Sequence, residues 1–254
     1  MQYQFIIQEM VYKAEKIVPY ESNNASKGAQ IECMFDEIAG KYDFLNHALS
    51  MGLDKYWRRK GILSLKEYAP RTLLDVATGT GDLALDAYRL LKPEKIIGVD
   101  ISEKMMAIGR EKAAKAGLSE IIRFEKQDCT CLQFDSDTFD AAVVAFGIRN
   151  FEDLDKGLQE IHRILHPGGR LMILELASPE YFPMKQAYRI YSRLIPEIGR
   201  RISRSKAAYN YLPKSITAFP QNNEMAAILE KTGFSGVVFK KLTGGICIMY
   251  LARK

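Results

Sequence analysis

The sequence predicts an α/β protein built on a seven-stranded, mostly parallel sheet that ends in an antiparallel hairpin. Three observations predict it. Thr72–Val76 is a short apolar, β-branched run that passes through Gly79 and Gly81 into Leu83-Ala84-Leu85-Asp86-Ala87, the pattern of a strand, a tight turn and a helix. Strand and helix patterns then alternate five times, which implies parallel strands joined by right-handed crossovers. The last two apolar runs have no helix between them and should pair antiparallel.

Taken in order, residues 1–30 mix a short apolar start with Glu21-Ser22-Asn23-Asn24-Ala25-Ser26-Lys27-Gly28, a polar stretch expected to be a mobile lead-in. From Ile31 the spacing changes. Phe35, Ile38, Tyr42, Leu45 and Leu49 recur at helical intervals until Ser50-Met51-Gly52 breaks the helix. Tyr56, Trp57 and residues 62–68 continue a second helical pattern up to Pro70. Residues 1–70 are therefore expected to form a helical cover beside the glycine turn, and residues 71–254 the main domain.

The second strand is Lys95–Asp100. Ser102 is placed to cap the helix that follows, with Ile101 and Met106 as its hydrophobic staple, and that helix runs to about Ala116. Residues 121–126 and Phe139–Ala145 are the third and fourth strands, 154–165 is helical, Pro167-Gly168-Gly169 turns, and 171–175 is the fifth strand. An insertion at 178–220 precedes a helix at 225–232 that ends at Gly233. Residues 237–240 and 245–251 are the hairpin strands.

Gly79 and Gly81 let the backbone take positive φ and let a ligand approach the main chain, while the next helix points its unpaired N–H groups at that ligand. The flanks are acidic, with Asp75 in the strand and Asp82 after the second glycine. Two carboxylates repel the pyrophosphate of a dinucleotide and suit a cation. S-adenosylmethionine is such a ligand, and its ribose needs an acid at the end of the next strand, about twenty residues on. Asp100 stands there.

The 254 residues and 47% hydrophobic content fit a single folded core with additions. No apolar run reaches the roughly 18 residues of a membrane span, and Met1-Gln2-Tyr3-Gln4 is not the charged start of a signal peptide. A cytoplasmic location is expected. Cys33, Cys129, Cys131 and Cys247 lie far apart or as C-x-C, which suits neither a zinc knuckle nor a disulfide framework, so they are read as reduced thiols. His162 and His166 lack a third ligand nearby, and no metal is expected.

Several separated stretches carry a family resemblance. They are Phe35-Asp36 with Lys41-Tyr42-Asp43-Phe44-Leu45-Asn46, Trp57-Arg58, the run from Leu74 through Gly79 and Gly81 to Asp82, Phe146-Gly147-Ile148-Arg149-Asn150, Pro167-Gly168-Gly169, and Tyr209-Asn210-Tyr211-Leu212-Pro213 with Ser215-Ile216. Together they span about residues 31–254 and resemble the ubiquinone/menaquinone biosynthesis C-methyltransferases, which have the Rossmann-like fold of class I S-adenosylmethionine-dependent methyltransferases. The resemblance implies methyl transfer from S-adenosylmethionine to a ring carbon of a polyprenylated quinol, with demethylmenaquinol preferred and a ubiquinone precursor as the alternative. It implies cofactor contacts at Thr78, at Asp100, and at Asp128 and Cys129 beside adenine. With Asp75, Gly79, Gly81 and Ile101 these make the expected cofactor set. The chain departs from the family at Ala145, commonly serine, at Leu45, commonly methionine, at Asp54, commonly histidine, and at His166, commonly lysine.

An aromatic carbon attacks a sulfonium methyl more readily when its neighbouring hydroxyl is ionised, and a phenol with a pKa near 10 needs a nearby cation for that at neutral pH. Arg149, on the ligand-binding edge of the sheet, is the expected catalytic partner of the quinol oxygen, with Asn150 orienting that oxygen or a water. Water takes the proton, because an arginine pKa above about 12 makes it no base. Tyr42, Asn46 and Tyr209 are the expected substrate contacts.

The insertion carries Lys185, Arg189, Arg193, Arg200, Arg201, Arg204, Lys206 and Lys214 against Glu180 and Glu197, interleaved with aromatic residues such as Tyr181, Phe182 and Tyr188. Three readings of it stay open: a membrane-facing lid over a prenyl-tail groove, an RNA-binding surface, and a solvated helix face. Ile190, Leu194 and Ile195 favour the lid over RNA. Weak peripheral membrane association and no nucleic-acid partner are expected. The competing functions are an RNA or small-molecule methyltransferase and an S-adenosylmethionine-binding scaffold protein.

Overall fold

The computed structural model describes residues 12–202 and 206–254, with side chains for all of these except 194–202 and 206. Strands β1 (Thr72–Val76), β2 (Lys95–Asp100), β3 (Ile122–Lys126), β4 (Phe139–Ala145) and β5 (Leu165–Leu176) are parallel. β6 (Ser235–Leu242) and β7 (Cys247–Arg253) form the expected hairpin, and β7 is antiparallel to both β5 and β6. The sheet order is β3-β2-β1-β4-β5-β7-β6. Because β1 leads outward to β2 on one side while β4 begins the other half, the strand order reverses between β1 and β4. Ligands of such sheets bind beyond the strand ends at that reversal.

The central strands are apolar on both faces because helices cover both. Leu73, Leu74, Val76 and the run Ala141, Ala142, Val143, Val144 are fully buried. On one face lie α6 (Leu154–Ile164) and α9 (Asn223–Thr232), which contribute Leu158, Ile161 and Leu229. On the other lie α3 (Leu53–Leu63), α4 (Asp82–Leu91) and α5 (Glu103–Lys115), with Trp57, Ile62, Leu83 and Met106. Ser102 caps α5 as expected, its Oγ accepting the Met105 N–H at 3.2 Å.

Two expectations about the first seventy residues need correction. The polar lead-in is not loose where it is described: the Lys27 Nζ donates to the carbonyls of Ala14 (2.9 Å), Arg149 (3.2 Å) and Phe151 (2.9 Å), and Tyr12 Oη donates to Asp155 (2.8 Å). A buried lysine can satisfy three carbonyls at once, which composition does not reveal. The helical pattern from Ile31 to Leu49 is also two helices, α1 (Lys27–Ile38) and α2 (Tyr42–Leu49), separated by a 3₁₀ turn at Ala39–Lys41. Further on, Pro167-Gly168-Gly169 is a bulge inside β5, which already pairs with β4 at Leu165.

The insertion forms α7 (Met184–Ile202) and α8 (Lys206–Ala218). The Tyr191 hydroxyl donates to the Leu49 carbonyl, and Lys214 pairs with Glu21 at 2.7 Å, so the insertion is strapped to the N-terminal helices. Leu194, Ile195, Glu197, Arg200, Arg201, Arg204 and Lys206 lie outside the described side chains.

Candidate active site

A cleft opens over the carboxyl ends of β1, β2 and β4. Of the expected cofactor residues, Gly79, Asp100, Ile101, Asp128 and Cys129 line it, as does Ala145. The Asp100 Oδ2 accepts the Gly79 N–H at 2.8 Å and its Oδ1 accepts the Ser102 N–H at 2.9 Å. Each oxygen keeps a further lone pair, so the fixed carboxylate can accept a pair of vicinal hydroxyls. Burial raises the Asp100 pKa, and those N–H groups oppose the rise. At Gly79, φ is +55°, a backbone conformation that glycine takes without the strain a side chain would bring, so glycine gives this turn its shape. Asp128 is oriented by the Thr130 N–H and hydroxyl, each at 2.8 Å from its Oδ1. Burial pushes the Cys129 thiol well up, which keeps it neutral.

Asp75, Thr78 and Gly81 stand behind this cleft and do not form its wall. Asp75 is 1% exposed and accepts the Thr78 hydroxyl at 2.7 Å. Thr78 packs over Gly98, where a Cβ would come within 2.7 Å of its Oγ1, and Gly81 packs against the Phe124 ring. These residues shape the turn. The acidic flank is not a pair of bare charges either: burial raises Asp75 to about 7, while Asp82 pairs with Lys112 (2.7 Å) and Arg58 (3.3 Å). Of the three acids Asp75, Asp82 and Asp100, only Asp100 lines the cleft. An aspartate pKa raised from about 3.9 in the unfolded chain means that the native state binds more protons between those values, so stability is lost as pH rises through the window. Urea unfolding at pH 4 to 8 should show the wild type losing on the order of 2–4 kcal/mol more than Asp75→Asn across that range. Parallel stability curves would contradict a protonated Asp75.

The N-terminal cover supplies cleft residues that sequence spacing did not expose. Gly28, Ile31 and Phe35 from α1 line the cleft, together with Met105, Gln127 and Glu152 from the main domain. The Gly28 N–H donates to Glu152 at 3.1 Å, and a Cβ on Gly28 would meet that carboxylate at 2.7 Å. The residues present fit S-adenosylmethionine: the Asp100 carboxylate would take the ribose hydroxyls, and Asp128 with the Cys129 N–H would take the base, in a cleft that Val99 and Ile101 also line.

A second, mostly apolar cavity of about 300 Å³ adjoins the cleft, and Phe35, Tyr42 and Phe146 form the wall they share. Phe146 sits at φ +61° and Ala77 at φ +54°, so backbone strain is concentrated where the ends of β1 and β4 meet the two spaces. Tyr42, Asn46, Tyr209 and Arg149 all line the cavity, which brings the expected substrate residues together. Tyr42 bonds to the Asn46 side chain, and burial raises its pKa. Tyr209 is buried against Leu45.

Asn150 lines the cofactor cleft and not the cavity, and its Oδ1 accepts the Tyr211 hydroxyl at 3.0 Å. The expectation that it orients the quinol oxygen or a water beside Arg149 is corrected accordingly, because within the short 3₁₀ turn at Ile148–Asn150 the two side chains line different spaces, Arg149 the cavity and Asn150 the cleft. Arg149 is buried, and its Nη1 donates to Glu175 Oε1 at 2.6 Å and to the Phe146 carbonyl at 2.5 Å. Burial lowers its pKa, but the Glu175 charge more than offsets this and holds it above the usual value. Glu175 escaped sequence reasoning, although its place at the end of β5, beside the end of β4, was a usable signal.

The sequence profile of the ubiE/COQ5 methyltransferase family matches residues 23–254. The chain is 55% identical over 246 residues to a demethylmenaquinone methyltransferase of Bacteroides fragilis, covering 96% of this chain and 100% of that one. It is 45% identical to one of Porphyromonas gingivalis (94% and 98% covered) and 41% identical to a ubiquinone/menaquinone biosynthesis C-methyltransferase of Geobacter sulfurreducens (95% and 94%). Among solved structures, a Thermotoga maritima S-adenosylmethionine-dependent methyltransferase, described as a possible histamine N-methyltransferase, shares the fold with a TM-score of 0.62 at 17% identity, covering 88% of this chain and 99% of that one. Profile, relatives, sheet order and cleft agree: the chain belongs to the ubiE/COQ5 methyltransferase family.

Proposed function

We propose that the protein transfers a methyl group from S-adenosylmethionine to a ring carbon of a polyprenylated quinol, with demethylmenaquinol as the substrate. The observation that carries this reading is the apolar cavity meeting the cofactor cleft at Phe35, Tyr42 and Phe146, with the Arg149 guanidinium in its wall. An aromatic head with a hydrocarbon tail suits such a space, whereas RNA needs an open basic surface. The names of the Bacteroides and Porphyromonas relatives support demethylmenaquinol over the ubiquinone precursor.

Bound in the cleft, S-adenosylmethionine supplies an electrophilic methyl on a positively charged sulfur. Phe35, Tyr42 and Phe146 confine the quinol ring to the side of the cavity that faces this group. Arg149 holds the oxygen beside the reacting carbon and stabilises its anion. The ring carbon gains a C–C bond as the C–S bond breaks with its electron pair left on sulfur, then gives up its hydrogen, so one proton leaves per turnover. The phenols of Tyr42 and Tyr211 are poorly suited to accept that proton, because burial disfavours their tyrosinate forms. Water in the cavity is the acceptor.

The purified protein, given S-adenosylmethionine and the reduced form of a 2-prenyl-1,4-naphthoquinone, should yield the ring-methylated product by mass spectrometry. Tight cofactor binding with no methylated quinol would favour the scaffold reading instead.

Membrane association is proposed on the same basis. No described helix is long and apolar enough to cross a membrane. Tyr181, Phe182 and Ile190 are exposed at 74%, 80% and 62%, on and beside a helix that also carries Lys185, Arg189 and Arg193. The protein should sediment with anionic liposomes more than neutral ones and lose this in high salt. Equal sedimentation with both, or tight salt-sensitive binding of RNA, would overturn the proposal.

A further inference from the structure

We propose that Glu175 is a positioning residue for methyl transfer: it grips one edge of the Arg149 guanidinium so that the Nε edge meets the quinol oxygen, and its charge opposes ionisation of that oxygen. The inference rests on the functional reading above. Glu175 is 1% exposed, at the end of β5. Its Oε1 accepts Arg149 Nη1 at 2.6 Å and the Leu176 N–H at 2.8 Å, and its Oε2 accepts the Arg149 backbone N–H at 3.2 Å. One carboxylate thus fixes Arg149 at both its main chain and its head.

The Phe146 carbonyl takes the second Nη1 hydrogen at 2.5 Å, which leaves that end of the guanidinium fully committed. The Nε, by contrast, is buried and has no hydrogen-bond partner among the described residues. A buried N–H left unmet is costly, and on a residue that lines the cavity a ligand oxygen is the group that can meet it.

The pair is neutral at rest, because an unpartnered arginine this deep would be expensive to bury. Ionisation of the quinol then places a second anion beside one cation, so Glu175 secures the arginine and weakens the pull on the oxyanion. Among the described residues, the other titratable groups that act on the pair include Tyr42 from α2, Tyr188 from α7, Tyr211 from α8, Cys247 and Tyr250 from β7, and Lys27 from α1. Burial pushes the phenols and the thiol up and so keeps them neutral, while it pulls Lys27 down to about 8.

The test compares wild type, Glu175→Gln and Glu175→Ala, using a one-isoprene 2-prenyl-1,4-naphthoquinol, with kcat and KM measured against pH and cofactor affinity by calorimetry. Glutamine keeps an acceptor for Nη1 but not the charge, so the alkaline rise in rate should move about one unit lower in pH. Alanine removes the grip, and kcat should fall about tenfold or more with the KM for S-adenosylmethionine unchanged. Wild-type kcat in the alanine variant, or equal losses in both variants with unshifted profiles, would overturn the proposal. If the alanine variant does not fold, the glutamine profile alone decides. A wild-type protein that binds the cofactor but leaves the quinol unmethylated overturns the functional reading, and this inference with it.

Discussion

Replacing Arg149 with methionine should lower turnover by about 100-fold or more, since removing one oxyanion donor costs about 3 kcal/mol, and should leave cofactor affinity nearly constant. The separation is expected because Arg149 lines the cavity and not the cofactor cleft. Arg149→Lys keeps the charge but cannot both hold Glu175 and present a planar N–H edge, so it should fall between methionine and wild type. The methionine variant also leaves the buried Glu175 carboxylate without its cation, a change that costs about 3–5 kcal/mol and should lower the melting temperature. Rates are therefore compared per folded molecule. Loss of the cation should move the alkaline rise in rate to higher pH, since the phenol then ionises nearer its ordinary value. A methionine variant with the original rate and profile would remove Arg149 from the chemistry and turn attention to Tyr42, Asn46 and Tyr209.

Asp100→Ala should weaken S-adenosylmethionine binding by about 1–3 kcal/mol, the range for losing a charged acceptor, or roughly 5- to 150-fold. Two effects combine. The ribose hydroxyls lose their acceptor, and the Gly79 and Ser102 N–H groups lose the oxygens that set the turn. NAD should bind to neither form. Unchanged calorimetric affinity in the variant, or comparable affinity for NAD, would overturn the placement of the ribose.

What could be read from the sequence was local. The strand, turn and helix around Gly79 and the acid ending β2 follow from spacing within about thirty residues, and both are where the pattern puts them. What could not be read depends on partners distant in sequence. Lys27 looked like part of a solvated stretch because its three carbonyl partners come from Ala14, Arg149 and Phe151. Asp75 looked like a ligand-facing charge because nothing in its neighbourhood shows that it is buried. Arg149 was legible as a cation at the right edge, but Glu175, which decides how much of that charge remains, stands 26 residues away on the next strand. Asn150 was misplaced by its single-residue distance from Arg149, since a 3₁₀ turn sends neighbouring side chains in different directions.

The position of β7 between β5 and β6 bears on how the chain is made. β6 touches the rest of the sheet only through a strand that is synthesised after it, so β6 has no place to add while it leaves the ribosome. Until β7 emerges, the edge of β5 lies open, with apolar Leu171, Ile173 and Leu174 along it and its backbone groups unpaired on that side. A nascent chain halted in the β6–β7 turn would thus carry a nearly finished parallel half-sheet with a sticky border, the form most prone to pair with a neighbour on the same message.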